Sequence, residues 1–195
     1  DTPDGGFYAV PRLVTHLDAP SIAAITALYT RLLAPGMDVL DLMSSWVSHL
    51  PVAPALGHVA GLGLNGVELA ANPRLHERVV QDLNQDPHLP WPDGRFDAVL
   101  NALSVQYLTR PFEVYAQVAR VLRPGGVAVI VHSHRCFPTK AVRAFRDLPP
   151  DGRLRLCRLY LDASGAFEPA QQEDHSPPGA DPVWTVWARR TGGGT

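Results

Sequence analysis

Three features of the sequence predict an α/β chain built on a doubly wound, mostly parallel sheet with an antiparallel hairpin at one edge. Short apolar runs alternate with helical segments about five times. The run GVAVIV is apolar at nearly every position, as a parallel strand covered on both faces is. After Cys136 the pattern changes to period-two alternation, the mark of strands with one wet face.

Each element has its own signal. The opening DTPDGGFYAVPRLVTHLDA reads as an extended arm. Behind Pro20 and Ser21, residues Ile22, Ile25, Leu28, Leu32 and Leu33 form one helical face that Pro35-Gly36 stops. MDVLDL (37–42) is the first expected strand and HVAGLGL (58–64) the second, followed by a short helix from Gly66 to Ala71 that ends at Asn72-Pro73. ERVVQDL (77–83) is the third strand, PHLPWPDGR a loop and FDAVLNAL (96–103) the fourth strand. PFEVYAQVARVL (111–122) is a helix with Pro111 in its first turn, and GVAVIVHSH (126–134) is the fifth strand. A helix is expected over about 138–147. RLRLCRLYL (153–161) and PVWTVWARR (182–190), which alternate, form the expected edge hairpin around a Pro-rich loop.

Composition narrows the function. The chain has 195 residues, 46% hydrophobic and 18% charged, with 17 basic against 19 acidic residues and a net charge of −2. These values fit one globular domain over 1–195, divided into arm and helix (1–35), a core (36–135) and a C-terminal helix and hairpin (136–195). No basic stripe is visible, so nucleic acid is not an expected partner. Leu42 to Val67 carries no charge, but its three Ser, two His, Pro51 and Pro54 exclude a membrane span, and no membrane partner is expected. Cys136 and Cys157 share no CxxC spacing, which fits a reducing compartment and a cytoplasmic location; a targeting segment ahead of Asp1 is not excluded.

In an open parallel sheet, ligands bind beyond the carboxyl ends of the strands, next to the point where strand order reverses. The segments to examine are 41–46, 63–65, 82–84, 101–104 and 132–136. The run WPDGRFDAVLNALSVQYLTRPFEVYAQVARVLRPGGVAVI resembles the central block of class I S-adenosylmethionine-dependent methyltransferases, in particular the group related to methyltransferase type 11. VLDL, VAGLGLN and VVQDLN fall where that fold has its first three strands, and the resemblance covers about 36–135. The chain is also similar to a narrower, uncharacterised subgroup with DLMSSWVSHLP, QDLN and RCFPTKA motifs.

The resemblance implies a seven-stranded Rossmann-like methyltransferase sheet, S-adenosylmethionine as cofactor, and residues 36–135 as its binding core. It places cofactor contacts at Asp41, Met43, Ser44, Ser45, Gly63, Leu64, Asn65, Asp82, Leu83 and Asn101. Asp82 takes the family's acidic position after the third strand, where it meets the adenine amine, with the Leu83 amide beside it. Two departures stand out. The family's D-x-G-x-G-x-G loop is here Asp41-Leu42-Met43-Ser44-Ser45-Trp46, without glycine, and the acid that grips the ribose is replaced by Gly63, with Asn65 nearby. A nicotinamide-dependent dehydrogenase needs G-x-G-x-x-G in that loop, so DLMSSW excludes it.

The expected activity is methyl transfer to a small-molecule acceptor. His134, Tyr107, His16 and His49 are the candidates for a catalytic base, with His134 preferred for its place at a strand end. Tyr8, Arg12, Gln106, Arg135 and Cys136 are candidate acceptor-binding residues, the first two on an arm suited to close over the site. Two other readings stand beside this one. The altered loop also fits an inactive methyltransferase-fold protein that serves binding or assembly and takes a protein partner. His132, His134 and Cys136 share one face if the strand runs on, an arrangement for a metal ion that would still need a fourth ligand such as His49. Against these stand plain structural roles: Asp41 or the serines as helix caps, Tyr107 as packing, Cys136 as an inert thiol.

Overall fold

A computed structural model describes residues 10–192 of the chain. Helix α1 (Ala19–Leu32) starts where Asp18 accepts the amide of Ser21 and Pro20 occupies the first turn, and it buries Ile25, Leu28, Tyr29 and Leu32. Next come β1 (Val39–Leu42), β2 (Val59–Gly63), α2 (Gly66–Ala71) and β3 (Glu77–Val80). β4 (Phe96–Ala102), a short 3-10 turn at Val105–Tyr107, α3 (Pro111–Val121) and β5 (Leu122–His132) complete the parallel part. α4 (Arg143–Asp147), α5 (Pro150–Asp162), β6 (Gln171–Asp174) and β7 (Trp184–Arg189) close the chain.

The strands form one seven-stranded sheet in the order β3-β2-β1-β4-β5-β7-β6. β3, β2, β1, β4 and β5 are parallel, and β7 and β6 are antiparallel additions. Alternate strand residues feed two cores. Leu40, Val99, Ala128 and Ile130 pack with α3 and α5, while Val39, Leu100, Val129 and Val131 pack with α1 and Leu69 of α2. Strand order reverses between β1 and β4, and the ends of these two strands open the site.

The late elements differ from the sequence reading. RLRLCRLYL is helical, not a strand: it lies in α5, whose Cys157, Tyr160 and Leu161 are buried at i, i+3 and i+4. Ion pairs Arg155–Asp151 (2.7 Å) and Arg158–Asp162 (3.0 Å) at i, i+4 line its outer face. An Arg/Leu alternation satisfies either period, and Pro149-Pro150 followed by Asp151 was the helix signal. The hairpin partner of β7 is instead β6, QQED, a short polar strand at the sheet edge. The helix expected over 138–147 is only α4, and β5 ends at His132 rather than 134. Among the described residues, no helix is long and apolar enough to cross a membrane.

Candidate active site

The site begins at the end of β1. Met43 has φ of 57°, a left-handed conformation that favours glycine, and it stands at the first glycine position of the D-x-G-x-G-x-G loop. The loop thus keeps the glycine-type turn without the glycine. The Ser44 amide then donates to the carbonyl of Leu62 (2.7 Å), zipping the loop onto β2. A Cβ on Gly63 would collide with the Ser44 carbonyl. The close backbone approach has therefore moved from the loop to the strand beneath it, and no acidic side chain fits at position 63.

Under this loop Asp41 is buried, and one carboxylate oxygen accepts from both Ser44 Oγ and Ser48 Oγ. Asn72 Nδ2 donates in turn to Ser48 Oγ (2.8 Å) and the Ser45 carbonyl (2.9 Å). Burial raises the Asp41 pKa to about 6, against the pull of the two serine hydroxyls. The other loop side chains are also engaged. Met43 Sδ accepts from Asn101 Nδ2 (3.6 Å), whose Oδ1 accepts from Ser104 Oγ (2.9 Å), and Ser45 Oγ donates to Glu68.

A cleft crosses the ends of β1, β2 and β4, bordered by Asp41, Gly63, Leu64, Asp82, Leu83 and Ala102. Met43, Ser44, Ser45 and Asn65 also line it, so most of the expected cofactor contacts share one cavity; Asn101 stands behind it, bonded to Met43. Asn65 caps α2, its Oδ1 accepting the amides of Val67 (2.9 Å) and Glu68 (3.1 Å). Asp82 heads a turn, accepting from the Asn84 amide (2.9 Å) and Gln85 Nε2 (2.8 Å).

Residues 12–16 of the N-terminal arm lie across this cleft. The Arg12 amide donates to Glu68 Oε1 (2.7 Å), and Trp46 Nε1 donates to the Val14 carbonyl (3.0 Å). The Phe137 ring organises the neighbouring wall: Tyr107 stacks on it at 5.9 Å, His16 meets it edge-on at 5.5 Å, and the Arg12 guanidinium sits 5.5 Å from its centroid. The Phe137 amide donates to Tyr107 Oη (2.9 Å). His16 and His49 both line the cleft. Burial lowers both pKa values; for His16, Glu68 opposes the shift and Arg12 adds to it, while His16 adds to it for His49. Burial raises the Tyr107 pKa, so the phenol keeps its proton. A second recess, containing Arg135 and Cys136, shares Thr15, His16, Leu103, Tyr107 and Phe137 with the cleft.

Other candidates stand elsewhere. His134 is half-exposed, 3.6 Å from Asp181, and borders neither recess. Asp181 also holds Arg135 (2.9 Å). Gln106 is buried, with Nε2 donating to the Leu103 carbonyl (2.9 Å). Tyr8 lies outside the described residues. The metal arrangement is not formed. His132 is sealed between Phe145 and Trp184, whereas His134 and Cys136 follow the strand end and face outward. Among the described residues, no three metal-ligating side chains converge.

Several cleft residues were missed in the sequence, among them Ser48, Glu68, Tyr29 and Phe137. Glu68 is the fourth residue of an Asn-x-x-Glu helix start, a pattern that flags capping rather than a site. Tyr29 is part of the apolar face of α1, and Phe137 lay inside the RCFPTKA motif without a role.

Comparisons with known proteins agree with this geometry. Residues 47–130 match the family model described as a methyltransferase domain. The methyltransferase GfsG of Streptomyces halstedii is 30% identical over 132 residues, covering 62% of this chain and 47% of that protein, so the chain spans about half the length of that relative. Among solved structures, an S-adenosylmethionine-dependent methyltransferase from Mesorhizobium loti superposes with a TM-score of 0.60 at 19% identity, covering 86% of this chain and 98% of that one. The [4+2]-cyclase SpnF superposes with a TM-score of 0.64 at 18% identity, covering 87% and 81%. The seven-stranded fold is that of S-adenosylmethionine-dependent methyltransferases, and the central sequence block is similar to their methyltransferase domain.

Proposed function

We propose that this chain transfers a methyl group from S-adenosylmethionine to a small-molecule acceptor whose reacting atom carries a proton. The observation that carries the reading is a cleft, formed by the ends of β1, β2 and β4, that also holds two imidazoles whose pKa values burial lowers.

The residues present fit the cofactor. Met43 and the loop serines are held by partners around the cleft: Met43 by Asn101, Ser44 and Ser48 by Asp41, and Ser45 by Glu68, while Trp46 lines the cleft wall and donates to the Val14 carbonyl. Asp82 and the amide of Leu83 would hold the adenine, and the backbone from Met43 to Ser45 would hold the methionine part. Asp41, ionised at neutral pH, favours the cationic groups at that end. Bound there, the sulfonium supplies an electrophilic methyl carbon.

Alignment and exclusion of water carry most of the rate, because displacement at a sulfonium needs little covalent assistance. His16 or His49 removes the acceptor proton, since a neutral imidazole in the cleft is a base at neutral pH. His134 is too far outside the cleft for that role. The shelf of Phe137 and Tyr107 holds a flat or apolar part of the acceptor, with Arg12, Arg135 and Cys136 around the second recess. The arm shields the reaction from solvent.

A second reading rests on Glu68, which takes both the Arg12 amide and Ser45 Oγ and so draws arm and loop together, as a closed binding or assembly protein would. Calorimetry separates the two. Micromolar binding of S-adenosylmethionine and S-adenosylhomocysteine, weakened about tenfold or more (about 1.4 kcal/mol) by Asp82→Ala, supports the enzyme. Absence of heat at millimolar cofactor overturns it and favours the closed form.

A further inference from the structure

We propose that the Tyr29 hydroxyl is a ligand-binding group of the cleft, donating a hydrogen bond to the carboxylate of an α-amino-acid moiety held against Asp41. The inference deepens the cofactor reading and rests on it.

Tyr29 projects from α1, packs its ring in the core beneath the arm, and is 2% exposed. Its hydroxyl is buried and among the described residues has no hydrogen-bond partner, although the side chain borders the cleft. Buried hydroxyls normally find an acceptor, so an orphan at the wall of a cavity points to one brought by a ligand. The charge of Asp41 is near enough to add to the upward pKa shift that burial imposes on the phenol, so Tyr29 remains a donor.

The chemistry of the two neighbours defines what fits between them. Asp41 takes both serine hydroxyls on one oxygen and is otherwise an anionic floor that attracts an ammonium. Tyr29 offers a neutral donor that attracts an anion. An ammonium and a carboxylate on one carbon satisfy both.

The fold supplies an internal control. Tyr115 also has a buried hydroxyl without a partner and a raised pKa, but it stacks on Tyr160 inside the core and borders no part of the cleft. Two orphan hydroxyls thus differ in access to a ligand.

The test uses calorimetry of the full chain with S-adenosylhomocysteine and with 5′-methylthioadenosine, which keeps the nucleoside and sulfur but lacks the amino-acid end. Thermal melts confirm that the variants fold. Tyr29→Phe is expected to weaken S-adenosylhomocysteine about fivefold or more while changing 5′-methylthioadenosine less than about twofold. Tyr115→Phe should change neither. Equal weakening of both ligands by Tyr29→Phe, or no weakening of S-adenosylhomocysteine, overturns the assignment. A wild-type chain that binds neither ligand overturns the cofactor reading and the assignment with it.

Discussion

The ends of β1 and β5 hold polar side chains of similar depth under opposite conditions. Beyond β1, Asp41, Ser44, Ser48 and Asn72 form a connected network under a cleft. Beyond β5, both ring nitrogens of His132, Ser133 Oγ and Gln106 Oε1 are buried without partners among the described residues. Burial raises the Asp41 pKa to about 6 and, with Arg153 adding to the effect, lowers that of His132 to about 3. Both shifts favour the neutral form, but only Asp41 has a cleft beside it. A perturbed pKa therefore marks a site here only where a ligand can reach the group.

The largest expected effect lies at His132. Its proton is bound more readily in the unfolded chain than in the fold, so the stability it contributes is complete above pH 6.5 and is lost as pH falls toward 3. Urea denaturation of wild type and His132→Leu should show the variant gaining about 2 kcal/mol on wild type between pH 6.5 and 4.5. Parallel pH profiles would mean that the β5 end is wet, and the contrast between the two ends would fail.

Asp41 should behave with the opposite sign. Its folded pKa is raised, so its contribution is complete below about pH 3.8 and is lost as pH rises through about 6. Relative to Asp41→Asn, wild type should therefore gain about 2 kcal/mol on acidification from pH 6 to 4. The same titration gives a binding signature, since neutralising Asp41 below pH 6 should weaken S-adenosylmethionine more than 5′-methylthioadenosine. A flat ratio of the two affinities would separate Asp41 from the cationic end.

Gly63→Ala tests the backbone contact that replaces the loop glycines. The new methyl meets the Ser44 carbonyl, a fixed neighbour, and should cost about 2 kcal/mol and abolish cofactor binding by displacing the loop. Unchanged melting and affinity would show that the loop is free to move away from β2. The smallest effect belongs to Glu68→Ala, which releases the Arg12 amide and Ser45 at a cost of about 1 kcal/mol or less. Faster hydrogen exchange at Arg12, with the β1 network still protected, is the expected readout.

The parallel half of the fold was legible because its signals are local. The apolar runs at β1, β2, β4 and β5, Pro111 at the start of α3 and the helix over Gly66–Ala71 are read directly from residue order. RLRLCRLYL was not legible, because alternating Arg and Leu fits a strand and, with Asp151 and Asp162 four residues away from Arg155 and Arg158, fits a helix equally well. β6 gave no signal at all, since QQED pairs through its backbone at a polar edge. In the site, Asp41, Asp82 and the strand-end loops follow from topology, whereas His134 was favoured for a strand end that closes two residues earlier.

Periodicity and turn residues were enough to place the parallel strands and the strand ends at which chemistry gathers, whereas the strand order and the antiparallel edge came from the fold. Which side chains share the cleft is set by long-range packing. Met43 adopts a glycine-like turn because Ser44 is fastened to β2 over Gly63, and His16, Tyr29, His49, Glu68 and Phe137 meet there from five separate segments. Contacts between residues far apart in the chain depend on packing depth and direction, and no local pattern encodes them.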